Sequence, residues 1–114
     1  MTAETPRVVR RAGVIRLRPE KEQEYRELHA AVWPGVAQRL RDSHFTNFSI
    51  FLRDGFLFSY YEYTGTDFDA DNAAIAADAE TQRWWSLTDP CQQPVESAAP
   101  GEWWAPMDEV CHLP

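Results

Sequence analysis

The 114-residue chain carries five Trp, six Phe and four Tyr under a formal net charge of −7. That length suits one domain with a real core, and the acidic balance argues against a nucleic-acid binder, which shows a basic stripe. No apolar run approaches the roughly 20 residues of a membrane span, and the early arginines lead into no apolar secretory-signal core.

Residues 1–6 are polar and patternless and are expected to form a flexible tail, leaving 7–114 as a single domain. Residues 7–17 are rich in β-branched side chains and read as the first strand. Pro19 suits a first helical turn, and Glu20, Glu22 and Glu24 place negative charge at the positive end of a helix dipole. The helix runs to about Asp42, with Pro34 forcing a kink or a restart as a second helix. His44 to Leu52 reads as the second strand, Asp54-Gly55 as a hairpin turn, and Phe56 to Tyr63 as the third strand. Thr66 and Asp67 are N-cap candidates for an alanine-rich helix over 68–77, and Asp78 for another over 79–88. Pro90, Pro94, Pro100 and Gly101 mark a loop from Asp89 to Gly101, near the upper length for an unstructured connection. Trp103 to Leu113 reads as the last strand.

The order β-α-β-β-α-β predicts an α+β, ferredoxin-like domain: a four-stranded antiparallel sheet with helices on one face. In the second strand Phe48, Ile50 and Leu52 alternate with Phe45, Asn47, Ser49 and Phe51, so both faces carry large apolar residues. Helices cover one face only. The other is expected to be buried by a second copy of the sheet, giving a homodimer of the dimeric α/β-barrel type.

Tyr25, His29 and Trp33 recur every four residues, so on a helix they share one side with Leu28, Val32, Val36 and Leu40. An imidazole in that stripe suits general acid–base work near neutral pH. The plainer reading is a core histidine bonded to backbone; a phenol one turn away favours a site, because it can orient the ring or bind a substrate hydroxyl. Trp84 and Trp85 point about 100° apart on a helix, so one can pack in the core while the other lines a cavity. Flat indole faces suit the C–H faces of a sugar ring, although two core tryptophans would share this spacing. Strand alternation sends Trp103 and Trp104 to opposite faces.

Asp67, Asp69, Asp71 and Asp78 read as caps and a solvated face, whereas no spacing ties Glu62, Asp89 or Glu109 to a site. The chain has no Gly-rich phosphate loop, Gly-x-Ser-x-Gly, Cys-x-x-Cys or His-Glu-x-x-His. Cys91 and Cys111 read as free thiols of a cytoplasmic protein. His29, His44 and His112 fall on separate elements, so the expectation is a site with neither metal nor cofactor.

The chain resembles the L-rhamnose mutarotase family from about Arg7 onward. The resemblance rests on Tyr25-x-x-x-His29-x-x-x-Trp33-Pro34, Asn47-Phe48-Ser-Ile-Phe, Leu52-Arg-Asp-Gly-Phe-Leu-Phe, Gln82-Arg83-Trp84-Trp85 and Glu109-Val-Cys-His-Leu-Pro114. It implies a dimeric, cofactor-free enzyme that interconverts the anomers of L-rhamnose or a close 6-deoxyhexose. On the family pattern His29 is the proton donor, acting at the ring oxygen, and Tyr25, Trp84 and Trp85 bind the sugar. Phe48 holds a substrate-binding position where the family usually has tyrosine, so one hydroxyl is missing unless a neighbour such as Tyr60 replaces it. Two rival readings share the aromatic pocket: a cofactor-free monooxygenase of the dimeric α+β barrel type, and a non-catalytic sugar-binding dimer.

Overall fold

A computed structural model describes residues 7–114, and the expected tail at 1–6 lies outside the described residues. Strand β1 (Val9–Leu17) leads into a 3-10 turn over Pro19–Lys21 and helix α1 (Glu22–Ala30). The helical run stops there. Ala31 leaves the helical region at φ −141°, and Trp33 is extended (φ −61°, ψ 132°), as the residue before a proline must be. Pro34 then opens a separate helix α2 (Pro34–Asp42) at its first position, where its missing N–H costs nothing. Of the two outcomes Pro34 allowed, the chain takes the restart, and Val32 is left in the break, largely exposed.

Strands β2 (Phe45–Arg53) and β3 (Phe56–Tyr63) form the expected hairpin. Asp54 and Gly55 have φ of 53° and 78°, the doubly left-handed pair that a two-residue turn of type I′ needs. Helices α3 (Phe68–Ala77) and α4 (Ala79–Thr88) follow. Each begins at the aspartate that the sequence marked: Asp67 accepts from the Ala70 N–H and Asp78 from the Thr81 N–H.

The sheet order is β2-β3-β1-β4, antiparallel throughout, the arrangement of a ferredoxin-like fold. The final strand differs from the Trp103–Leu113 expected. Two short pieces share one edge of β1: β4 (Gln92–Gln93) opposite Arg16 and Leu17, and β5 (Ala105–Met107) opposite Ala12 to Val14. Residues 94–104 loop out between them, and residues 108–114 carry no regular structure. Pro94 and Pro106 lack the N–H that a longer ladder would use. The supposed loop is also partly ordered, with a 3-10 turn at Asp89–Cys91 whose Cys91 carbonyl accepts from the Arg18 N–H at 2.8 Å.

Strict alternation fails in β2. Register shifts between Thr46 and Ser49, and Asn47 sits at φ 49°. This is a β-bulge, clamped by Asn47 Nδ2 donating to Glu62 Oε1 at 2.8 Å. The extra residue turns Phe48 to the same side as Phe45 and Ile50, where all three line one cavity.

On the helix-covered face, Ile15, Leu17, Leu57, Tyr25 and Cys91 form one buried cluster, and Phe45, Tyr63 and Ile75 another. On the opposite face Phe51, Phe58, Val14 and Ala105 stand in one cross-strand row, with Phe51 64% exposed. Both cysteines are free, Cys91 buried and Cys111 exposed. Leu57, 1% exposed at the centre of the first cluster, offers a direct check. Leu57→Ala is expected to cost about 2–5 kcal/mol by urea denaturation, and a loss under 1 kcal/mol would contradict its placement.

Candidate active site

A cavity of about 370 Å³ opens between the helices and the helix-covered face of the sheet. This lies at the lower end of the roughly 300–1,000 Å³ typical of small-molecule pockets. Helix α1 contributes Tyr25 and His29, α2 contributes Val36 and Leu40, and β2 contributes Phe48 and Ile50. Helix α4 supplies Trp84 and Trp85, and the segment after it supplies Asp89, Gln92, Trp103 and Trp104. The walls are largely aromatic, with a few polar groups set among them.

His29 sits between two rings. It stacks on Tyr25 with centroids 4.1 Å apart and meets the Trp84 edge at 5.2 Å. Its Nδ1 lies 3.0 Å from the Tyr25 carbonyl oxygen. A carbonyl only accepts, so Nδ1 carries the hydrogen and the neutral ring keeps its lone pair on Nε2. Burial lowers the His29 pKa below the ordinary value, against a smaller opposing pull from that carbonyl. At neutral pH the ring is therefore uncharged. The plainer reading holds at Nδ1, which is bonded to backbone, and that bond does not occupy Nε2.

The two adjacent tryptophans divide as their angular offset suggests. Trp84 is 6% exposed and also packs edge-on against Trp33 at 5.3 Å, whereas Trp85 is 38% exposed. Both reach the cavity wall. Phe48 lies flat on Tyr61, with centroids 5.6 Å apart and planes within 6°, so its ring is oriented by stacking rather than by a hydroxyl. Tyr60 does not compensate for the missing phenol. It alternates onto the other face of the sheet, where its O–H donates to Glu62 at 2.8 Å.

Glu109 is likewise engaged elsewhere, paired with Arg10 at 2.7 Å. Asp89 is the one carboxylate of the three left open by spacing that lines the cavity, and partial burial pushes its pKa up. Neither His44 nor His112 lines the cavity, and among the described residues no group of three or more His, Cys, Asp or Glu is assembled.

Gln92 was not visible in the sequence. Its register opposite Leu17 sends its amide to the helix-covered side, where Nε2 donates to the Tyr25 hydroxyl at 3.1 Å. The Trp103 indole donates to its Oε1 at 3.0 Å. Burial raises the Tyr25 pKa to about 12, with the Gln92 donation pulling weakly the other way. Tyr25 is accordingly a protonated phenol across the physiological range. No motif could have found Gln92, because it is one of only two paired residues within what reads as a proline-rich loop.

The family model described as L-rhamnose mutarotase matches residues 10–113. An L-rhamnose mutarotase of Burkholderia orbicola is 37% identical over 93 residues, covering 74% of this chain and 86% of the relative. One from Lactiplantibacillus plantarum is 32% identical and covers 93% and 99% of the two chains. Among solved structures, an L-rhamnose mutarotase from Formosa agariphila superposes with a TM-score of 0.70 at 23% identity, covering 93% of this chain and 99% of that one. A NIPSNAP family protein from Agrobacterium tumefaciens does so at 0.61 and 16%, covering 86% and 95%. At these identities the two structures speak for the fold alone.

The His29 environment predicts a titration. An unfolded chain takes up its histidine proton near pH 6.5, whereas folded His29 does so at a lower pH. Between the two values the unfolded state binds more protons, so this group's contribution to stability declines as pH falls through that window and levels off below it. Nitrogen-15 NMR of the imidazoles is expected to show an Nδ1–H tautomer with a midpoint below 6.5; a midpoint above 6.5 would contradict the desolvated placement.

Proposed function

The chain belongs to the L-rhamnose mutarotase family, and from that premise we propose that it interconverts the α and β anomers of L-rhamnose in this cavity, with His29 as the proton-transfer residue. The observation that carries the reading is the imidazole fixed at Nδ1 by the Tyr25 carbonyl within an aromatic cavity, leaving Nε2 for a reacting oxygen. A fixed tautomer and a defined ring position are what general acid–base catalysis asks of its proton carrier.

The anomeric oxygen and the ring oxygen are bonded to the same carbon, so one nitrogen serves both. Neutral Nε2 takes the proton of the anomeric hydroxyl. The bond between C1 and the ring oxygen breaks, and the imidazolium hands the same proton to that oxygen. His29 is then the acid at the ring oxygen, and no second residue need remove the anomeric proton. Rotation about C1–C2 in the open-chain aldehyde presents the other carbonyl face, and the steps reverse. One proton leaves and one arrives, so the site returns to its starting state without a cofactor.

The sugar is held by Tyr25, Trp84, Trp85 and Phe48. An indole face packs against the ring C–H groups, and the apolar walls of Phe48 and Ile50 favour a deoxy sugar, whose methyl group replaces a hydroxymethyl. With phenylalanine at position 48 the site makes one hydrogen bond fewer than the family's usual tyrosine allows.

Residues 7–114 work as one domain, and two copies associate through their open sheet faces in the cytoplasm. The cross-strand row Phe51, Phe58 and Val14, with Phe51 64% exposed, is the support for this association, since an exposed apolar strip on a single chain marks an interaction surface.

Anomer exchange of L-rhamnose, followed by NMR saturation transfer, tests the activity. Wild type is expected to accelerate exchange over buffer, and His29→Ala to lose about 10²–10⁴-fold of that acceleration. Binding without acceleration in wild type would leave a sugar-binding dimer. No response to L-rhamnose or related 6-deoxy sugars, with oxygen uptake on quinol-like substrates, would favour a monooxygenase. For the assembly, light scattering is expected to give twice the chain mass for wild type and a single chain for Phe51→Glu; a wild-type monomer would contradict the interface.

A further inference from the structure

The cavity contains a short hydrogen-bond relay that the proton-transfer steps do not themselves use. Trp103 Nε1 donates to Gln92 Oε1 at 3.0 Å, and Gln92 Nε2 donates to the Tyr25 hydroxyl at 3.1 Å. Its direction is fixed by chemistry. An indole N–H only donates, so the amide atom facing it is the oxygen and the amide NH₂ must face Tyr25. The phenol oxygen thus accepts from Gln92, and its single hydrogen must point elsewhere. Among the described residues no side chain or carbonyl accepts that hydrogen.

Tyr25 lines the cavity and its ring lies 4.1 Å from that of His29, centroid to centroid. Its O–H hydrogen is therefore free to donate to a molecule bound in the cavity beside His29. We propose that Gln92, oriented by Trp103, is a positioning residue that makes Tyr25 a one-way hydrogen-bond donor to the sugar oxygen bearing negative charge as the C1–oxygen bond breaks or forms. The proposal rests on the mutarotase reading and goes beyond it, because it assigns a function to two residues outside the motifs that carry the resemblance.

The physical gain has two parts. A donor already aligned in a water-poor site stabilises developing charge without reorganising. Donation from Gln92 also polarises the phenol, strengthening its outward bond. The phenol keeps its proton throughout, as a group with a pKa of about 12 does at neutral pH. The fold sets the geometry: the two-residue pairing of β4 against β1 puts Gln92 beside Leu17, and Leu17 packs in the cluster that holds Tyr25.

Gln92→Glu tests the relay with minimal change of shape. A carboxylate accepts from both neighbours, so it holds the Trp103 N–H but turns the Tyr25 hydrogen away from the sugar. Anomer exchange by Gln92→Glu is expected to fall about a hundredfold in kcat, the lower end of what loss of one oxyanion donor costs. In the Tyr25→Phe background the same substitution is expected to change kcat less than about twofold, because no phenol hydrogen remains to redirect. The new charge acting directly on His29 would instead lower kcat by the same factor in both backgrounds.

Trp103→Phe, at a partly exposed position, removes the indole N–H without adding charge and lets the amide turn over. It is expected to lower kcat severalfold in wild type and not in Tyr25→Phe, and it serves if Gln92→Glu fails to fold. Unchanged kcat, or equal losses in both backgrounds, would overturn the positioning role while leaving the mutarotase activity standing. A wild type that does not accelerate exchange would overturn both.

Discussion

The hydrogen bond from His29 Nδ1 to the Tyr25 carbonyl is the constraint on which the cavity's chemistry depends. It links a side chain to the backbone one helical turn earlier, so α1 itself fixes the tautomer. Stacking on Tyr25 and the Trp84 edge hold the ring plane. Burial keeps it uncharged at neutral pH. These three effects point the same way: the lone pair is on Nε2 and waiting for a proton. Removing the carbonyl bond would let the ring exchange tautomers, and removing the burial would let it protonate. Either change would take the acceptor away.

The rest of the fold positions the walls around that nitrogen. The break before Pro34 starts α2 as a separate helix, and that helix brings Val36 and Leu40 to the cavity. The bulge at Asn47 turns Phe48 inward beside Phe45 and Ile50. The split last strand leaves residues 94–104 free to loop out, returning Trp103 and Trp104 to the cavity while β4 fixes Gln92 at its floor. Each device departs from regular secondary structure, and each departure places a side chain at the site.

Those departures also mark the limit of what the sequence conveyed. Local patterns specified β1, the Asp54-Gly55 hairpin, both capped helices and the placement of Tyr25, His29, Trp84 and Trp85 on inward-facing positions. Helical spacing and turn chemistry act over a few residues, so they can be read from a few residues. Alternation could not reveal the bulge, since one inserted residue reverses the facing of its neighbours. The last strand was misplaced because its first piece is two residues long and flanked by prolines, and only pairing with β1 makes it a strand. Gln92 was hidden for the same reason. The Tyr60 substitute for the missing phenol failed on strand facing, which the same alternation rule already fixed.

The proposed function turns on one claim: neutral His29 carries the proton at the anomeric centre. Its most direct test compares two curves on the wild-type protein, the pH dependence of L-rhamnose anomer exchange and the NMR titration of His29 itself. The account predicts a plateau at neutral pH and a decline in catalysed exchange as pH falls, with a midpoint below 6.5 that coincides with protonation of the His29 ring. Catalysed exchange that stays flat through the His29 titration, or rises as the ring becomes charged, would contradict it.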